Sequence, residues 1–297
     1  MNAGAQSLAP PRGVVLSLDA FRKIALVNAV FLVLIVATGA TVRLTGSGLG
    51  CRHWPGCEPG DLLPAQGYHS YVEFGNRVVA AITVFVTLAT FVAALLARLP
   101  PRLRRLAFAT FVGTFLQAPL GALTVHYHLN PYLVLTHFLL SLLVLTLGVW
   151  LWVEVAARPR ARVPRWVALG GTLVWLAAVV LVVSGTLATA AGPHPGSTVV
   201  RRLWSFQPAV YWHVRATAVF GVSFAVALLW LWRNRFATHV RAALVVLALL
   251  AAQMAVGEIQ YRTQLPWWLV LVHVTLAATV WAAVSAFAIR LWRPADI

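Results

Sequence analysis

The chain has 297 residues, 61% of them hydrophobic and only 10% charged, at a mean hydropathy of +0.83. Soluble domains carry about 25% charged residues, so this composition excludes a water-soluble globular enzyme and points to an integral membrane protein. A net charge of +16 raises nucleic acid as a partner, but the placement of the charges gives them another purpose.

The opening MNAGAQSLAPPRG lacks the basic region, apolar core and small-residue cleavage site of a signal peptide. The first span is therefore expected to be retained. Runs of about 20 apolar residues are long enough to cross a bilayer. They recur near 23–43, 71–98, 104–124, 131–156, 166–190, 208–232, 239–261 and 267–291. The predicted fold is all-α, an integral membrane protein with eight transmembrane helices. With the N-terminus in the cytoplasm, 16 of the 23 basic residues fall on the inner side, Arg12, Arg22 and Lys23 through Arg290 and Arg293. The outer side keeps Arg43, Arg52, Arg77, Arg201, Arg202, Arg215 and Arg262. The positive-inside rule requires this bias, so both termini are expected in the cytoplasm, in the plasma membrane of a cell, and no nucleic acid is needed to explain the charge.

Between the first two spans lies the outer loop GSGLGCRHWPGCEPGD, with the only two cysteines, Cys51 and Cys57. In an oxidising compartment such a close pair closes a disulfide. The alternative is a thiol pair binding a metal together with His53. The glycines follow a membrane helix rather than a strand, so they read as a turn and not as a phosphate cradle.

The second span opens with VEFGNR, placing Glu73, Asn76 and Arg77 within two turns, and His69 one turn earlier. Ionisable groups at a membrane span are costly and mark function or pairing. A Glu73–Arg77 pair at i,i+4 would lower the cost of both charges; alternatively, the carboxylate works on a substrate.

An internal repeat organises the rest. QAPLGALTVHYHLNPYLVLTHF (117–138) resembles QMAVGEIQYRTQLPWWLVLVHV (253–274), with Gln117 and Gln253, Gly121 and Gly257, and His137 and His273 each 136 positions apart. Asn76 stands 137 before His213. The first and fifth spans are only faintly alike, through VATGATVRLTG and VVSGTLATAAG. Each half contains an even number of spans, so the repeat is parallel, with its axis along the membrane normal. The expected division is a tail over 1–22, an N-terminal four-helix half over 23–156, a linker over 157–165 and a C-terminal four-helix half over 166–291.

His137, His213 and His273 each lie about 7–10 Å into a span, at a rise of 1.5 Å per residue, and Asn76 lies at the matching level. Imidazoles at one depth on facing helices suit the two faces of a haem iron. Buried, hydrogen-bonded core histidines are the bland alternative. His126, His128, His194 and His239 fall near loops and are expected at the solvated surface. Glu73 aligns with Val210, so only the first half has a carboxylate at this level.

TGSGLGCRHWPGC (45–57), VEFGNR (72–77), LNPYLVLTHFLLS (129–141), GPHPG (192–196), HVRAT (213–217) and VHVTL (272–276) together resemble the haem A synthase family over roughly 24–291. The resemblance implies oxidation of a ring methyl of haem O to the formyl of haem A, for terminal cytochrome oxidase. It implies a substrate haem in the N-terminal half and a b-type haem passing electrons in the C-terminal half. Carried over by motif, His213 and His273 would ligate the b-type haem, and His137 the substrate haem. Glu73 matches the family's catalytic carboxylate, and Cys51 and Cys57 its outer-loop disulfide.

This chain resembles an EFGNR subset with a single outer-loop cysteine pair, whereas many relatives read EYSHR, with histidine in place of Asn76. Asparagine is a poor iron ligand, so either one face of the substrate iron is open or His69, two turns away, replaces the ligand. His69 would otherwise hold a propionate, as would the forked donors of Arg77 or Arg215. Glu258 and Arg262 read as a rim pair. Expected partners are haem O, the farnesyltransferase that makes it, oxidase assembly factors, the lipid bilayer and an electron donor the sequence does not identify. A two-haem electron-transfer cytochrome would want four strong ligands and no Glu73. A small-solute transporter would want helices broken near mid-membrane.

Overall fold

The computed structural model describes residues 16–51, 53–61, 63–64, 67–156, 162–197, 200, 202 and 204–292. Arg12, Arg52, Arg158, Arg160, Arg201, Arg293 and most of the 157–165 linker lie outside the described residues. Among the described residues there are eight helices: α1 Leu18–Leu44, α2 Tyr68–Leu96, α3 Pro101–His126, α4 Pro131–Val155, α5 Arg165–Ala191, α6 Phe206–Arg233, α7 Ala237–Arg262 and α8 Trp267–Trp292. Each is long and apolar enough to cross a membrane. The chain is a multi-pass membrane protein, and the expected spans hold to within a few residues at their ends.

Local chemistry sets the helix ends. Ser17 caps α1 by accepting from the Ala20 N–H, and Asn130 caps α4 by accepting from that of Tyr132. Proline occupies the first turn of α3 and of α4, where its missing N–H costs nothing. The turns repeat as the sequence does. Arg98 and Arg235, which end the α2–α3 and α6–α7 connections' first step, both have φ near +50 to +57°. His128–Leu129 after α3 and Gln264–Leu265 after α7 are likewise left-handed, and 136 positions apart. Leu129 N–H bonds back to Thr124 O at 2.8 Å and Leu265 N–H to Gln260 O at 2.7 Å, the long-reach closure that satisfies orphan carbonyls at a helix end. The duplication is therefore built into backbone conformation as well as side chains.

Each half is a ring. α1 packs on α2, α2 on α3, α3 on α4 and α4 on α1; α5 to α8 repeat the pattern. The two rings join where α8 meets α1 and α4, and α4 meets α5. Among the described residues no Cα of α2 comes within 8 Å of α4, nor any of α6 within 8 Å of α8. The diagonals of both rings are thus held apart. The largest apolar core crosses the junction, uniting Leu32 and Val36, Leu142 and Leu145, and Val280, Val284 and Phe287. At its centre buried Trp281 donates from Nε1 to Leu142 O and to Thr146 Oγ1, both at 2.9 Å, and packs against Trp175 at 5.3 Å between ring centroids.

One expectation is corrected here. His239, expected at the solvated surface, is only 2% exposed and packs edge-on against Phe236. Its place in the first turn of α7 turns it inward, against the turn that precedes it. His126 and His128 are exposed as expected, and His194 is half-buried.

The indole donor at the junction gives a direct test. Trp281→Phe is expected to cost about 0.5–1.5 kcal/mol, a lost hydrogen bond, and Trp281→Ala about 3–5 kcal/mol once a cavity is added. Thermal unfolding in detergent measures both; unchanged midpoints would show that the two rings do not depend on this contact.

Candidate functional site

All four even-numbered helices start at the cysteine-loop end, so residues a few positions into each lie at one level. His137 is the seventh residue of α4, His213 the eighth of α6 and His273 the seventh of α8; Asn76 is the ninth of α2. Each faces a glycine on the helix before it. A Cβ on Gly185 would come within 2.9 Å of His213, one on Gly257 within 3.0 Å of His273, one on Gly121 within 3.7 Å of His137 and one on Gly39 within 4.0 Å of Asn76. Only a bare backbone leaves room for a ring at Gly185 and Gly257.

A hydroxyl beside two of these glycines fixes the facing side chain. Ser184 Oγ and His213 Nδ1 are 3.1 Å apart, and Thr38 Oγ1 donates to Asn76 Oδ1 at 2.8 Å. Thr38–Gly39 and Ser184–Gly185 are 146 positions apart. These residues were not singled out from the sequence, although the aligned T-G and S-G of the faint first-and-fifth-span likeness mark them. His273 Nε2 meets the Gln253 amide at 3.1 Å. Its counterpart Gln117 turns instead to Ser141, whose hydroxyl donates to Gln117 Oε1 at 3.2 Å.

The arrangement fits an iron porphyrin. The diagonal helices that carry these residues stay more than 8 Å apart between Cα atoms. Buried polar atoms in proteins almost always have partners, yet Nδ1 of His137, Nδ1 of His273 and Oε1 of Gln253 are buried without one. With Ser184 on Nδ1, His213 has Nε2 free for a metal. Among the described residues no cluster of three His, Cys, Asp or Glu offers an ordinary metal cage.

The other expected residues gather at the loop. Cys51 and Cys57 form a disulfide, S–S 1.96 Å, which ends the metal-thiolate reading with His53. Glu73, only 4% exposed, accepts from the Cys51 N–H at 2.8 Å through Oε2 and from Arg77 Nη2 at 2.6 Å through Oε1. Arg77 Nη1 donates to the carbonyls of His53, Pro55 and Gly56. Glu73 and Arg77 thus clamp the disulfide loop over the end of α2, one turn from Asn76. His69 Nδ1 lies 2.9 Å from Ser47 Oγ, which meets Thr45 Oγ1 at 2.8 Å. A Cβ on Gly50 would collide with His69 O, so the loop lies directly on the start of α2. Arg215 is exposed and lies over the Tyr211 ring, away from that cluster. Glu258 and Arg262 form the expected exposed rim pair.

A strut joins the halves at the same end. Half-buried Arg43 donates to His194 O and Thr189 O, both at 3.0 Å, and His194 Nε2 reaches Leu265 O at 2.8 Å. This gives the GPHPG segment a structural use that sequence reasoning missed.

A family model described as cytochrome oxidase assembly protein, COX15-CtaA, matches residues 22–67 and 62–285. A Symbiobacterium thermophilum protein named Heme A synthase is 37% identical over 152 residues, 50% of this chain and 49% of its own. A Geobacillus thermodenitrificans protein of the same name is 36% identical over 129 residues, 43% of this chain and 40% of its own. A Thermus thermophilus protein named Protoheme IX farnesyltransferase is 29% identical over 278 residues, 84% of this chain and 45% of its own. The chain spans about half the length, or less, of the curated relatives it matches.

Breaking the clamp from one side leaves a buried charge alone. Arg77→Met is expected to cost about 3–5 kcal/mol, as for a buried pair that loses one member, and to speed hydrogen exchange at the Cys51 amide. Adding Glu73→Gln to it should restore part of that stability. Unfolding in detergent, read as a double-mutant cycle, shows whether the two residues act as a unit; additive losses would show that they do not.

Proposed function

The chain belongs to the COX15-CtaA family of cytochrome oxidase assembly proteins, and on that premise we propose that it is a haem A synthase. The observation that carries the reading is the asymmetry of two otherwise matching rings. The C-terminal ring presents two imidazoles from diagonal helices and no buried carboxylate beside them, Glu258 being exposed. The N-terminal ring presents one imidazole, His137, an asparagine at the second position, and a buried carboxylate one turn away.

In this reading haem O is the substrate in the N-terminal ring, held on His137, and leaves as haem A. Its ring methyl is oxidised to a formyl group, which takes up one oxygen atom and releases electrons and protons. A b-type haem on His213 and His273 would supply the electron-transfer chemistry. Ser184, Gly185, Gln253 and Gly257 hold those imidazoles in place, fixing tautomer and ring direction as outer-shell partners do.

Glu73 is the residue proposed to act on the substrate. Each of its oxygens accepts one hydrogen bond in the structure, and a carboxylate oxygen has a second lone pair. It can therefore stabilise positive charge developing at the substrate carbon, or take a proton, without releasing the loop. Arg77 positions Glu73, with Nη2 on the carboxylate and Nη1 on the loop carbonyls, and its Nε is the donor proposed for a haem propionate. His69 and Arg215 remain proposed contacts for the haem propionates, His69 from the loop and Arg215 from α6.

The basic residues, with the family's role, support a plasma-membrane protein with both termini in the cytoplasm and the haem positions toward the outer face. The Thermus thermophilus relative named for protoheme IX farnesyltransferase supports haem O as the substrate and such an enzyme as its source. Oxidase assembly factors are the proposed recipients of the product.

Co-expression with a source of haem O, followed by haem extraction and mass analysis, is expected to yield haem A from the native protein. Glu73→Ala should still fold and retain bound haem but yield none; normal conversion would return Glu73 to a purely structural role. His213→Ala and His273→Ala should each abolish the low-spin b-type absorbance. Its survival in both variants would refute the ligand assignment.

A further inference from the structure

Asn76 occupies in α2 the place His213 occupies in α6, and each meets a hydroxyl that precedes a glycine on the previous helix. Asparagine has the shape of the near half of an imidazole. Its Oδ1 corresponds to Nδ1, and its Nδ2 to Cδ2, the ring atom bonded to Nε2. The structure respects that correspondence: the hydroxyl that meets Nδ1 of His213 meets Oδ1 of Asn76. Two consequences follow for the second axial position of the N-terminal ring.

First, the atom of Asn76 with lone pairs suited to iron is turned toward Thr38, 2.8 Å away. Second, Nδ2 lies on the side where His213 carries its ligating nitrogen, and stops one atom short of it. Among the described residues Nδ2 has no acceptor, since Thr38 supplies the one hydrogen bond that Asn76 makes. An amide NH2 carries two donors. Within a membrane span it will take whatever acceptor reaches it, because hydrocarbon offers a donor no partner.

We propose that Asn76, oriented by Thr38, is a hydrogen-bond donor to a small ligand at the open iron face of haem O bound on His137, not a ligand itself. This deepens the reading given above and rests on it. It assigns Thr38 a positioning role and makes the two rings chemically different at one residue. The C-terminal iron is closed on both faces, while the N-terminal iron is closed on one face and carries a donor over the other. Such a donor favours a ligand that gains negative charge on binding, as preorganised donors do elsewhere. His69, whose Nδ1 meets Ser47, is not needed as a replacement ligand in this arrangement.

The test uses the purified full-length protein loaded with haem O, reduced, and exposed to carbon monoxide, whose stretching band reports the polarity over the iron. The native protein is expected to show one carbon monoxide-reactive haem beside an unreactive low-spin one. Asn76→Leu should move the C–O band to higher frequency, and Thr38→Val should move or split it the same way. Asn76→His should cut the reactive fraction at least tenfold and add low-spin absorbance. If no haem reacts with carbon monoxide although haem O is recovered on extraction, the open face and this inference fail while the binding of haem O stands; if no haem O is recovered, the reading above fails as well. If a haem reacts but the band is the same in native protein and Asn76→Leu, only the donor role is overturned. A band that moves to lower frequency in Asn76→Leu would place the amide oxygen toward the iron and also overturn it. Retained low-spin absorbance in each variant checks that the fold has survived.

Discussion

A bare glycine backbone facing a side chain on the next helix is the contact on which the chemistry of this bundle depends. Hydrocarbon offers no partner to a polar group, so every such group in a span must be placed and satisfied by protein. At Gly185 and Gly257 a single added carbon would meet the imidazole at 3.0 Å or less. The same contact, looser, recurs at Gly121 and Gly39. Where a hydroxyl precedes the glycine, it sets the direction of the facing side chain, as Ser184 and Thr38 do. The ring architecture then keeps the diagonal helices apart and leaves the interior to what those side chains hold.

The two halves are the same construction carrying different polar residues. Their turns share left-handed residues at equivalent positions, and their polar residues share one level. The differences are few and concentrated: Asn76 for His213, Glu73 for Val210, and Ser141 drawing Gln117 away from His137. The disulfide loop belongs to the first half and is clamped there by Glu73 and Arg77. Loop order and the position of the carboxylate are therefore coupled, so a change in either will be felt by the other. The Arg43–His194–Leu265 strut ties that same end to the second half.

Much of this was legible in the sequence, for physical reasons. Span length and composition are set by bilayer thickness, so eight runs of apolar residues gave eight helices. The duplication was legible because histidine, glutamine and glycine recur at one spacing, and the Cys51–Cys57 pairing because the only two cysteines stand six positions apart in one loop. Other features depend on where a loop travels, which periodicity does not record. Arg77 reads as an intrahelical partner of Glu73, and it is; that it also gathers three carbonyls follows from the path of residues 53–56. Thr38 and Ser184 passed unnoticed because a hydroxyl in a helix usually bonds its own backbone. His239 looked exposed because it follows a charged turn, yet the turn folds over it.

The central claim is that two macrocycles sit on the diagonals of two matched rings and that only the first is chemically open. A density map of the protein purified after incubation with haem O tests it most directly. The account predicts one macrocycle between α6 and α8 with an imidazole on each face. It predicts another between α2 and α4 with His137 on one face and the Asn76 amide standing off the other. A single macrocycle, or one bound outside the rings with His213 and His273 turned to lipid, would contradict it.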